Sequence, residues 1–539
     1  MRSECLPFGQ IPHTTKLFTD FLSYSSSVQA FYPRSPHFSE WLKQETPAQR
    51  YSDETRRRVS GIFERQNKAW GASAKTLENI ARFRAGACAA VTGQQVGLFG
   101  GPLFALFKAL TAVKLADEAT KAGVNCIPIF WLASEDHDLD EVSRTAVLGG
   151  EGLLQTLSAT TKTVPDTPVG RVVFGPEINE VVQQAVELLG GDTSVCDALK
   201  SSYRPGETLG SAFARLFTTL FAEWGVILLD AIDPELHAIS EPIYRAAIEN
   251  AALIDEGLLQ RGKELESAGY HQQVKVTPSS TLLFTFRDGA RTPIHRQAGN
   301  TPNSFDFLVG DERISQPDLS ARISKSPEQF SANVLLRPVI QDYLLPTIAY
   351  TGGSAEVAYF AQAAVVYEKL LGQVTPIIPR FSSTLVEPKA DRLLERYGLS
   401  LQDLFHDSLR ERLAERMLPA ELQSAFDRAN ATLDKSLASI RDALTKLDAT
   451  LVDAANRAGS KMQYQLEHLR SSAARAETRQ SELLSRHADV LKNMLYPNKT
   501  LQEREVGGVY FLAKYGTDLM QQLYGAIHTD CLDHQVIHL

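Results

Sequence analysis

Cysteine is scarce in this 539-residue chain, and the few cysteines stand far apart. They are Cys5, Cys88, Cys126, Cys196 and Cys531, an odd number without a C-x-x-C spacing. This pattern excludes a disulfide framework and a zinc knuckle, and it favours reduced thiols. No metal is firmly implied, and we expect Cys88 and Cys126 to be buried residues of strands.

Long apolar runs are also missing, and so is an excess of positive charge. No run approaches the roughly 20 apolar residues that cross a membrane, and the beginning, MRSECLPFGQIP, has no signal-peptide stretch. The formal net charge of −9 argues against general affinity for nucleic acid, which needs a basic face. These absences predict a cytoplasmic protein that binds neither a membrane nor nucleic acid.

The middle of the chain alternates short apolar segments with helical ones. AGACAAVTG predicts a strand, PLFALFKALTAVKLADEATKAG a helix and NCIPIFWLAS a second strand. Strand, helix and strand in succession form a βαβ unit, which predicts a parallel sheet with a right-handed crossover. Because the same alternation recurs at 211–235 and 355–381, we expect a doubly wound α/β core.

The length of the chain allows more than one structural unit. We place the α/β core at 1–390, a helical coiled-coil domain at 391–500 and a C-terminal segment that returns to the core at 501–539. Within the core, the ranges of about 150–180 and 270–315 predict β-rich insertions.

The second insertion contains STLLFTFRDGARTPIHR, in which two runs of strand-forming residues flank a turn signal. An Asp-Gly pair between such runs is typical of a tight β-hairpin turn. We therefore predict a hairpin with its turn at Asp288 and Gly289.

Apolar residues beyond residue 433 recur at alternating steps of four and three, the spacing of a coiled coil. The positions are Leu437, Ile440, Leu444, Leu447, Leu451, Ala454, Ala458, Met462, Leu466, Leu469, Ala473 and Ala476, with a stutter at Ala458–Leu466. One helix from Leu433 to Ala476 would span roughly 65 Å. Because such a helix cannot cover its own apolar stripe, it folds back as a hairpin or pairs with a second subunit, and we expect a homodimer.

A glycine-rich loop, VTGQQVGLFGG, follows the first predicted strand of the core and precedes a helix. Free N–H groups and the dipole at the beginning of a helix favour an anionic group there. The loop lacks the lysine of a Walker loop and the G-x-G-x-x-G spacing of a dinucleotide site. A tight turn packed against the sheet is the structural alternative. The predicted substrate-binding residues of the loop are Thr92, Gly93, Gln94, Gln95, Gly97, Gly100 and Gly101.

An acidic loop, SEDHDLDE, follows the second predicted strand of the core. Because the carboxyl ends of parallel strands face one crevice, we expect this loop to lie beside the glycine-rich loop. Glu135, Asp136, His137 and Asp138 offer a general base, a proton shuttle and a carboxylate that orients the imidazole, and we predict Glu135, Asp136 and His137 as the catalytic residues. Two alternatives are a divalent metal held by the carboxylates and His137, and a solvated beginning of a helix.

A third polar cluster lies in SANVLLRPVIQDYLLPTIAYTGGSAEVAYFAQ, where a Gly-Gly pair again precedes a helix. Arg337 can hold a carboxylate or a phosphate through its bidentate fork, and a surface arginine is the alternative. The predicted substrate-binding residues of this cluster are Asn333, Arg337, Gln341, Gly352, Gly353 and Glu356.

Four segments, taken in order, resemble one enzyme family: TGQQVGLFGGPLFALFKA, FWLASEDHDLDEV, NVLLRPVIQDYLLPTIAYTGGSAEVAYFAQ and LYPNKTLQER. They are similar to the bacillithiol-biosynthesis cysteine-adding enzymes, the BshC family of cysteine ligases. The resemblance implies a Rossmann-like core, a coiled-coil domain that makes a homodimer, and the last step of bacillithiol synthesis, in which cysteine is joined to glucosaminyl-malate. It also implies a nucleotide site near the coiled coil, at Tyr496, Pro497, Asn498, Gln502 and Arg504.

The amide bond that this reaction forms, between the cysteine carboxylate and the glucosamine amine, is unfavourable in water without activation. ATP or another nucleotide is the expected source, through an acyl phosphate or an acyl adenylate, and an ADP-type ligand is compatible with the site. Asp136 or His137 would deprotonate the amine, while Arg337 and the second Gly-Gly pair would hold the malate. The energy source, the activated intermediate and the pocket of the nucleotide stay open.

Two other classes of function are compatible with the same residues. A nucleotidyltransferase-like enzyme with an unrelated substrate would share the core and the glycine-rich loop, and it would release pyrophosphate without cysteine. A non-catalytic dimeric adaptor would recruit partners through its coiled coil, and its function would survive changes at Asp136 and His137.

Overall fold

The computed structural model describes residues 2–42, 51–150, 152–161, 163–287, 289–298, 305–416, 418, 420–480, 482–529 and 531–539. The strands are β1 (Arg2–Leu6), β2 (Cys88–Gln94), β3 (Cys126–Leu132), β4 (Arg144–Leu148), β5 (Leu154–Ser158), β6 (Ile227–Asp230), β7 (Ser280–Arg287), β8 (Ala290–Ala298), β9 (Phe305–Val309), β10 (Glu312–Ser315), β11 (Phe330–Ala332), β12 (Thr347–Gly352), β13 (Ile377–Pro379), β14 (Ser383–Val386) and β15 (His534–His538). 

The α-helices range from single turns to helices of eight turns. They are α1 (Lys16–Leu22), α2 (Phe38–Trp41), α3 (Asp53–Ala69), α4 (Ala74–Arg84), α5 (Leu103–Lys121), α6 (Leu139–Val142), α7 (Ile178–Leu189), α8 (Thr193–Ser202), α9 (Leu209–Leu220), α10 (Pro234–Glu249), α11 (Ala251–Ser267), α12 (Gln316–Lys325), α13 (Arg337–Leu344), α14 (Ser354–Leu370), α15 (Pro388–Tyr397), α16 (Leu409–Arg416), α17 (Ala420–Leu447), α18 (Val452–Gln480), α19 (Glu482–Leu495), α20 (Gln502–Glu505), α21 (Gly508–Tyr515) and α22 (Asp518–Ala526).

A five-stranded parallel sheet forms the centre of the fold, in the order β13-β12-β2-β3-β6. Strands β2 and β3 are buried along their length except at Gln94, as expected of parallel strands that helices cover on both faces. Cys88 and Cys126 lie opposite each other in this pair and are buried, as predicted. The predicted doubly wound parallel sheet is confirmed.

The connections that follow β2 and β12 leave the sheet on opposite faces. Helix α5 follows β2 and packs with Phe130 and Leu228, whereas α14 follows β12 and packs with Ile129 and Leu229. Because successive residues of a strand point to opposite faces, the two helices cover different sides of the sheet. The winding of the chain therefore reverses between β2 and β12, and in open α/β sheets ligands bind in the crevice at this point.

A second five-stranded sheet is antiparallel, in the order β10-β9-β8-β7-β11. Its strands β7 to β10 fall within the range 270–315, where a β-rich insertion is predicted. Of the predicted hairpin turn, Asp288 lies outside the described residues, and Gly289 has a φ of +85°. In the other predicted insertion, 150–180, β5 pairs with β4, which precedes that range.

The two ends of the chain meet in a three-stranded sheet, β1-β15-β14. Strand β15 runs antiparallel to β1 and parallel to β14. The segment before β15 also reaches the first core helix, because the carbonyl oxygen of Val506 accepts the N–H of Leu103 at 2.8 Å and Pro102 forms a β-bridge with Gly507. The C-terminal segment thus covers the beginning of α5.

The coiled-coil region is a helical hairpin of α17 and α18, which is one of the two predicted alternatives, and the run from Leu433 to Ala476 is divided between these two helices. Helix α17 ends at Leu447 because Asp448 forms a local turn, in which its carboxylate accepts the backbone N–H and the hydroxyl of Thr450 at 2.8 and 2.7 Å. The two helices pack closely where Leu437 lies over Gly459. No helix of the described residues is long and apolar enough to cross a membrane.

Stability is expected to depend on pH through His534 in β15. Burial lowers the pKa of this imidazole to about 4, so it stays neutral in the folded chain while the unfolded chain takes up a proton near pH 6.5. The stabilisation is therefore present above pH 6.5 and is lost as the pH falls towards 4. Between pH 7 and pH 5, the wild type should lose about 2 kcal/mol more free energy of unfolding than His534→Gln.

Urea unfolding of both proteins at the two pH values measures this difference. His468→Gln, at an exposed position of α18, is the control and should retain the pH dependence of the wild type. Equal losses of stability in the wild type and in His534→Gln would show that the buried imidazole is not responsible.

Candidate active site

The two loops that were predicted to meet at the carboxyl edge of the sheet do meet there. Gln95, which follows β2, donates its side-chain amide to Oδ2 of Asp136 at 2.5 Å. The parallel register of β2 and β3 places Gln94 opposite Leu132, so the glycine-rich and acidic loops leave the sheet at the same level. The expectation that these loops lie side by side is confirmed.

A cavity of about 410 Å³ opens at the carboxyl end of β12, and we call it the switch-point cavity. One wall is the second Gly-Gly pair with the first turn of α14: Gly352, Gly353, Ser354 and Ala355. The facing wall comes from the segment after the coiled coil: Tyr496, Lys499, Thr500, Leu501, Glu503 and Arg504. Residues predicted to bind substrate and residues predicted to bind a nucleotide therefore line one cavity.

Positive charge dominates the lining of the switch-point cavity. Arg380, Lys499 and Arg504 line it, against the one carboxylate of Glu503. That carboxylate is already used, since it accepts hydrogen bonds from Arg380 at 2.6 Å and from Ser382 at 2.9 Å. Because the positive end of the α14 dipole also lies in the wall, the cavity favours an anionic ligand.

The rest of the switch-point cavity is apolar and partly aromatic, with Phe8, Ile11 and Phe18 from the N-terminal segment. The rings of Phe8 and Phe18 pack edge to face, with centroids 5.0 Å apart. On the other side, Tyr496 packs against Phe405 with centroids 4.8 Å apart. A ligand with a planar ring and an anionic group would find matching surfaces for both parts.

A second cavity of about 490 Å³ lies between the glycine-rich loop and the hairpin of β4 and β5, and we call it the β4–β5 cavity. Its lining is mainly polar, with two carboxylates from Glu141 and Glu505 beside amide, hydroxyl and guanidinium groups from Gln94, Gln95, Arg144, Thr145, Thr156 and Asn498. Such side chains suit a ligand with hydroxyl and carboxylate groups.

Arg504 lines both cavities, which makes them neighbours. The ring of Phe104, on the wall of the β4–β5 cavity, lies close to two guanidinium groups. Its centroid is 5.1 Å from Cζ of Arg380 and 5.9 Å from Cζ of Arg504. These cation–π contacts hold both arginines at the boundary of the two cavities.

A buried ion pair joins the elements at the switch point. Nζ of Lys108, on α5, lies 2.5 Å from a carboxylate oxygen of Glu356, on α14. The same ammonium donates to the carbonyl oxygen of Gly93 at 2.8 Å and to the side-chain oxygen of Gln94 at 2.9 Å. One side chain therefore ties α5 to the end of β2 and to the beginning of α14.

Burial and pairing act in opposite directions on this pair. Burial lowers the pKa of Lys108 to about 8, although Glu356 favours its charged form. Burial also opposes ionisation of Glu356, but Lys108 nevertheless holds the pKa of that carboxyl below its usual value. Both groups are thus charged at neutral pH, and Glu356 also accepts hydrogen bonds from Tyr350 at 2.6 Å and from the N–H of Gly353 at 2.8 Å.

The other predicted residues of the third cluster have different surroundings. Arg337 is half-buried and donates to the hydroxyl of Tyr359 at 2.5 Å, which argues against the alternative of a surface arginine. Gln341 is fully buried, and Asn333 accepts the N–H of Leu335 at 3.0 Å at the beginning of α13. None of these three residues lines either of the two cavities among the described residues.

The glycine-rich loop differs from its expected arrangement, because its N–H groups are not free. Gly100 donates to the carbonyl oxygen of Gly97 at 3.1 Å, and Gly101 donates to that of Leu98 at 3.0 Å. Both glycines are buried with positive φ, and a side chain at Gly100 would meet the ring of Phe217. The N–H groups of Gly100 and Gly101 are therefore not free to bind an anion, and these glycines permit a tight packed turn. Gly97 does line the β4–β5 cavity.

Asp136 and His137 lie beside the glycine-rich loop, and their side chains are not hydrogen-bonded to each other. Oδ1 of Asp136 accepts the backbone N–H of His137 at 2.8 Å, while Nδ1 of the imidazole is 3.6 Å away. On the other side, Nε2 of His137 is 3.9 Å from the carboxylate of Asp166. The described residues contain no group of three or more His, Cys, Asp or Glu side chains placed to hold a metal ion.

Glu135 has the strongest electrostatic perturbation of the acidic loop. Its side chain is 14% exposed, and burial raises the pKa of its carboxyl to about 8, although Arg291 opposes the shift. Its Oε1 lies 3.3 Å from Nε2 of His237, without hydrogen-bond geometry. Trp131 and Ser240 also present side-chain polar atoms without partners to the same small cavity of about 10 Å³, which has room for one water molecule.

The predicted nucleotide-binding residues fall into two groups. Tyr496 lines the switch-point cavity, Asn498 lines the β4–β5 cavity, and Arg504 lines both. Pro497 and Gln502 are buried instead, and Gln502 exchanges hydrogen bonds with the backbone of Leu385 at 2.8 and 2.9 Å. Gln502 therefore attaches the C-terminal segment to β14, and it lines neither cavity.

Sequence reasoning missed Lys108, Arg380 and Phe104, and two of them carried a usable signal. Lys108 is a charged residue among apolar ones in the middle of PLFALFKALTAV, and such a lysine needs a buried partner. Arg380 directly follows β13, in the same position relative to its strand that drew attention to the acidic loop. Phe104 carried no signal, because its role depends on arginines that are distant in sequence.

Comparison with known proteins gives matches along the whole chain. Residues 1–381 match the family model "Bacillithiol biosynthesis BshC, N-terminal Rossmann-like domain", and residues 383–539 match its "C-terminal coiled-coil domain". The "Putative cysteine ligase BshC" of Koribacter versatilis is 51% identical over 541 residues, which cover 100% of both chains. Proteins of the same name from Solibacter usitatus and Salinibacter ruber are 35% and 33% identical, and the matches cover 96% or more of each chain.

A double-mutant cycle tests the buried pair of Lys108 and Glu356. Lys108→Met and Glu356→Gln each leave one buried charge without its partner, so each should lower the free energy of unfolding by about 3 kcal/mol or more. The double variant has no unpaired charge and should lose less than the sum of the two, with a coupling energy of about 2 kcal/mol.

Urea unfolding of the four proteins gives the coupling energy. The matched control is Lys75 with Glu78, an exposed pair on α4 whose side chains are 43% and 57% exposed, and its coupling energy should be below about 0.5 kcal/mol. Additive effects of the two buried changes would mean that this pair does not hold the switch point together.

Proposed function

The chain belongs to the BshC family of bacillithiol biosynthesis, and on that premise we propose that it joins L-cysteine to the glucosamine amine of glucosaminyl-malate. The product is bacillithiol, and the bond formed is an amide. The observation that carries the proposal is the pair of adjoining cavities at the switch point, which share Arg504. A ligase needs two binding sites that place an activated acyl group next to an amine.

We propose that the switch-point cavity holds ATP or a related nucleotide. The aromatic and apolar surfaces of Phe8, Phe18 and Tyr496 suit a base, and the guanidinium of Arg504 suits phosphates. Arg380 is already bound to Glu503. The beginning of α14 adds its dipole to the same wall. When bound, the nucleotide would supply the activation that amide formation in water requires.

The β4–β5 cavity is proposed to hold glucosaminyl-malate. Its hydroxyl and amide side chains suit the hydroxyl groups of a sugar, and Arg144 suits a malate carboxylate. Arg504 reaches the boundary with the nucleotide and would orient the two reactants towards each other. This assignment moves the malate from the Arg337 cluster, where it was first expected, to the polar cavity beside the glycine-rich loop.

The acidic loop is proposed to deprotonate the attacking amine, with Glu135, Asp136 and His137 as the catalytic residues. A general base works best when its pKa lies near the working pH. Glu135 meets this condition, since burial raises the pKa of its carboxyl to about 8 and its Oε1 has no hydrogen-bond partner among the described residues. It is therefore one candidate for the base, although it lines the small cavity and neither of the two larger ones. Asp136 is the other candidate, because its carboxylate accepts the amide of Gln95 at the β4–β5 cavity.

A homodimer through the helical hairpin is part of the proposal. Several apolar residues of the predicted stripe stay exposed in the single chain: Ile440 by 51%, Leu447 by 78%, Met462 by 50% and Leu469 by 59%. Large apolar side chains that are exposed on both helices of one hairpin indicate a surface that a partner covers. The same stripe that predicted the coiled coil is thus only partly buried within the hairpin.

The reaction itself is the first test. Incubation of the protein with cysteine, glucosaminyl-malate and ATP should give bacillithiol, detected by its mass, and omission of ATP should abolish its formation.

Arg504→Gln should lower kcat/KM by about 10- to 100-fold, because a charge-assisted hydrogen bond is lost. The control Arg322→Gln, at an exposed arginine on α12 that pairs with Glu312, should be active. Pyrophosphate release without cysteine, and no bacillithiol, would favour the nucleotidyltransferase-like alternative.

Substitutions in the acidic loop test the base. Glu135→Gln should lower kcat by about 100-fold or more, with a smaller change in KM, because proton removal matters on the way to the transition state. Asp136→Asn and His137→Ala are expected to lower kcat as well. Asp138→Asn is the matched control, since Asp138 only caps α6 through the N–H of Glu141. Near wild-type kcat in all three catalytic variants would assign the base to another element.

The oligomeric state is the third test of the proposal. Sedimentation of the full-length protein at micromolar concentration should show a dimer, and the double change Ile440→Lys and Leu469→Glu should give a monomer. Leu253→Glu, at a leucine of α11 that is 54% exposed, controls for a general effect of added charge. A monomeric wild type would contradict the assignment of the exposed stripe.

A further inference from the structure

Two cysteines from opposite ends of the chain lie together at the surface. The sulfur atoms of Cys5 and Cys531 are 3.5 Å apart, although 526 residues separate them in sequence. Cys5 belongs to β1, where it pairs with Gln535 of β15, and Cys531 lies just before that strand. The antiparallel pairing of β1 and β15 therefore holds the two thiols next to each other.

The remaining cysteines are in a different environment. Cys88, Cys126 and Cys196 are buried, whereas Cys5 is exposed and Cys531 is partly exposed. Thiol–disulfide exchange requires that a disulfide in solution reach the attacking sulfur. Among the described residues, only the terminal pair combines access to solvent with a second thiol at contact distance.

We propose that Cys5 and Cys531 form a thiol–disulfide exchange site that reacts with low-molecular-weight disulfides. The thiolate of the exposed Cys5 attacks one sulfur of a disulfide RSSR, its S–S bond breaks and RS⁻ leaves, which gives a mixed disulfide. The thiolate of Cys531 then attacks the sulfur of Cys5, and the second RS⁻ leaves. The two protein thiols lose two electrons and two protons, and RSSR is reduced to two RSH.

The resulting disulfide would act on the switch-point cavity through β1. The chain passes from Cys5 through Leu6 directly to Phe8 and Ile11, which line that cavity. The ring of Phe8 also packs edge to face on His534, with centroids 6.1 Å apart. A bond between the chain ends fixes β1 against β15 and so holds this wall of the cavity in place.

Oxidised glutathione serves as the probe, applied to the full-length folded protein. After treatment, the wild type should be lighter by two hydrogens and carry no adduct, and digestion should give a linked peptide with Cys5 and Cys531. Cys531→Ser should keep a glutathione adduct on Cys5 that lives at least about 100-fold longer than in the wild type, because the resolving step is then no longer intramolecular. A stable adduct on the wild type, or two thiols that remain free, would overturn the proposal.

Two further readouts separate this site from the rest of the molecule. Cys88, Cys126 and Cys196 should react with an alkylating reagent only after the protein is unfolded. If they react under native conditions, the oxidation of Cys5 and Cys531 occurs in unfolded chains and not at a site of the folded protein. Amide exchange in residues 7–14 should slow after oxidation, and unchanged exchange would refute the effect on the cavity wall. The exchange reaction needs no nucleotide and no glucosaminyl-malate. The result of this experiment is therefore independent of the proposed ligase activity.

Discussion

The ion pair of Lys108 and Glu356 is the interaction on which the centre of the molecule depends. A buried ammonium needs acceptors, and Lys108, on α5, finds them on two other elements: the end of β2 and the beginning of α14. Glu356 in turn holds Tyr350 and the N–H of Gly353. The carboxyl ends of the two strands that flank the switch point are therefore positioned by one pair of charges.

A second buried pair attaches the C-terminal segment to this centre. Arg380, after β13, is bound to Glu503 of α20, and their side chains are 7% and 1% exposed. Through this contact the segment that follows the coiled coil forms one wall of the switch-point cavity. The same segment covers the beginning of α5 with Val506. The core sheet alone would have an open crevice, and the returning segment converts it into two bounded cavities.

The order of the central elements could be predicted from the sequence because their signals are local. Buried strands of seven residues, a proline before α5 and loops at strand ends were sufficient to place the glycine-rich and acidic loops side by side. It could not be predicted that Gly352 and Gly353, and not Gly100 and Gly101, would line a cavity, because the difference comes from residues some 400 positions away. Val506 accepts the N–H of Leu103 at the beginning of α5, whereas Gly352 and Gly353 line the switch-point cavity at the beginning of α14.

Two other features were not predicted from the sequence: the turn at Asp448 and the environment of Glu135. The turn at Asp448 did have a local signal, an Asp followed by Thr450 that competes with the helix for backbone hydrogen bonds, but the regular apolar spacing outweighed it. The environment of Glu135 had no local signal in the sequence, because His237, on α10, is about 100 residues away. Burial of a carboxyl beside such a group depends on how the helices pack on the sheet, and no spacing in the sequence reports it.

The central claim is that the two cavities at the switch point form one reaction centre, with Arg504 between them. A crystal structure of the protein with a non-hydrolysable ATP analogue and glucosaminyl-malate tests it most directly. The account predicts the nucleotide in the switch-point cavity, with its phosphates in hydrogen-bond contact with Arg504, and the sugar in the β4–β5 cavity with its amine facing that boundary. A nucleotide bound elsewhere on the chain, or a sugar that does not approach Arg504, would contradict it.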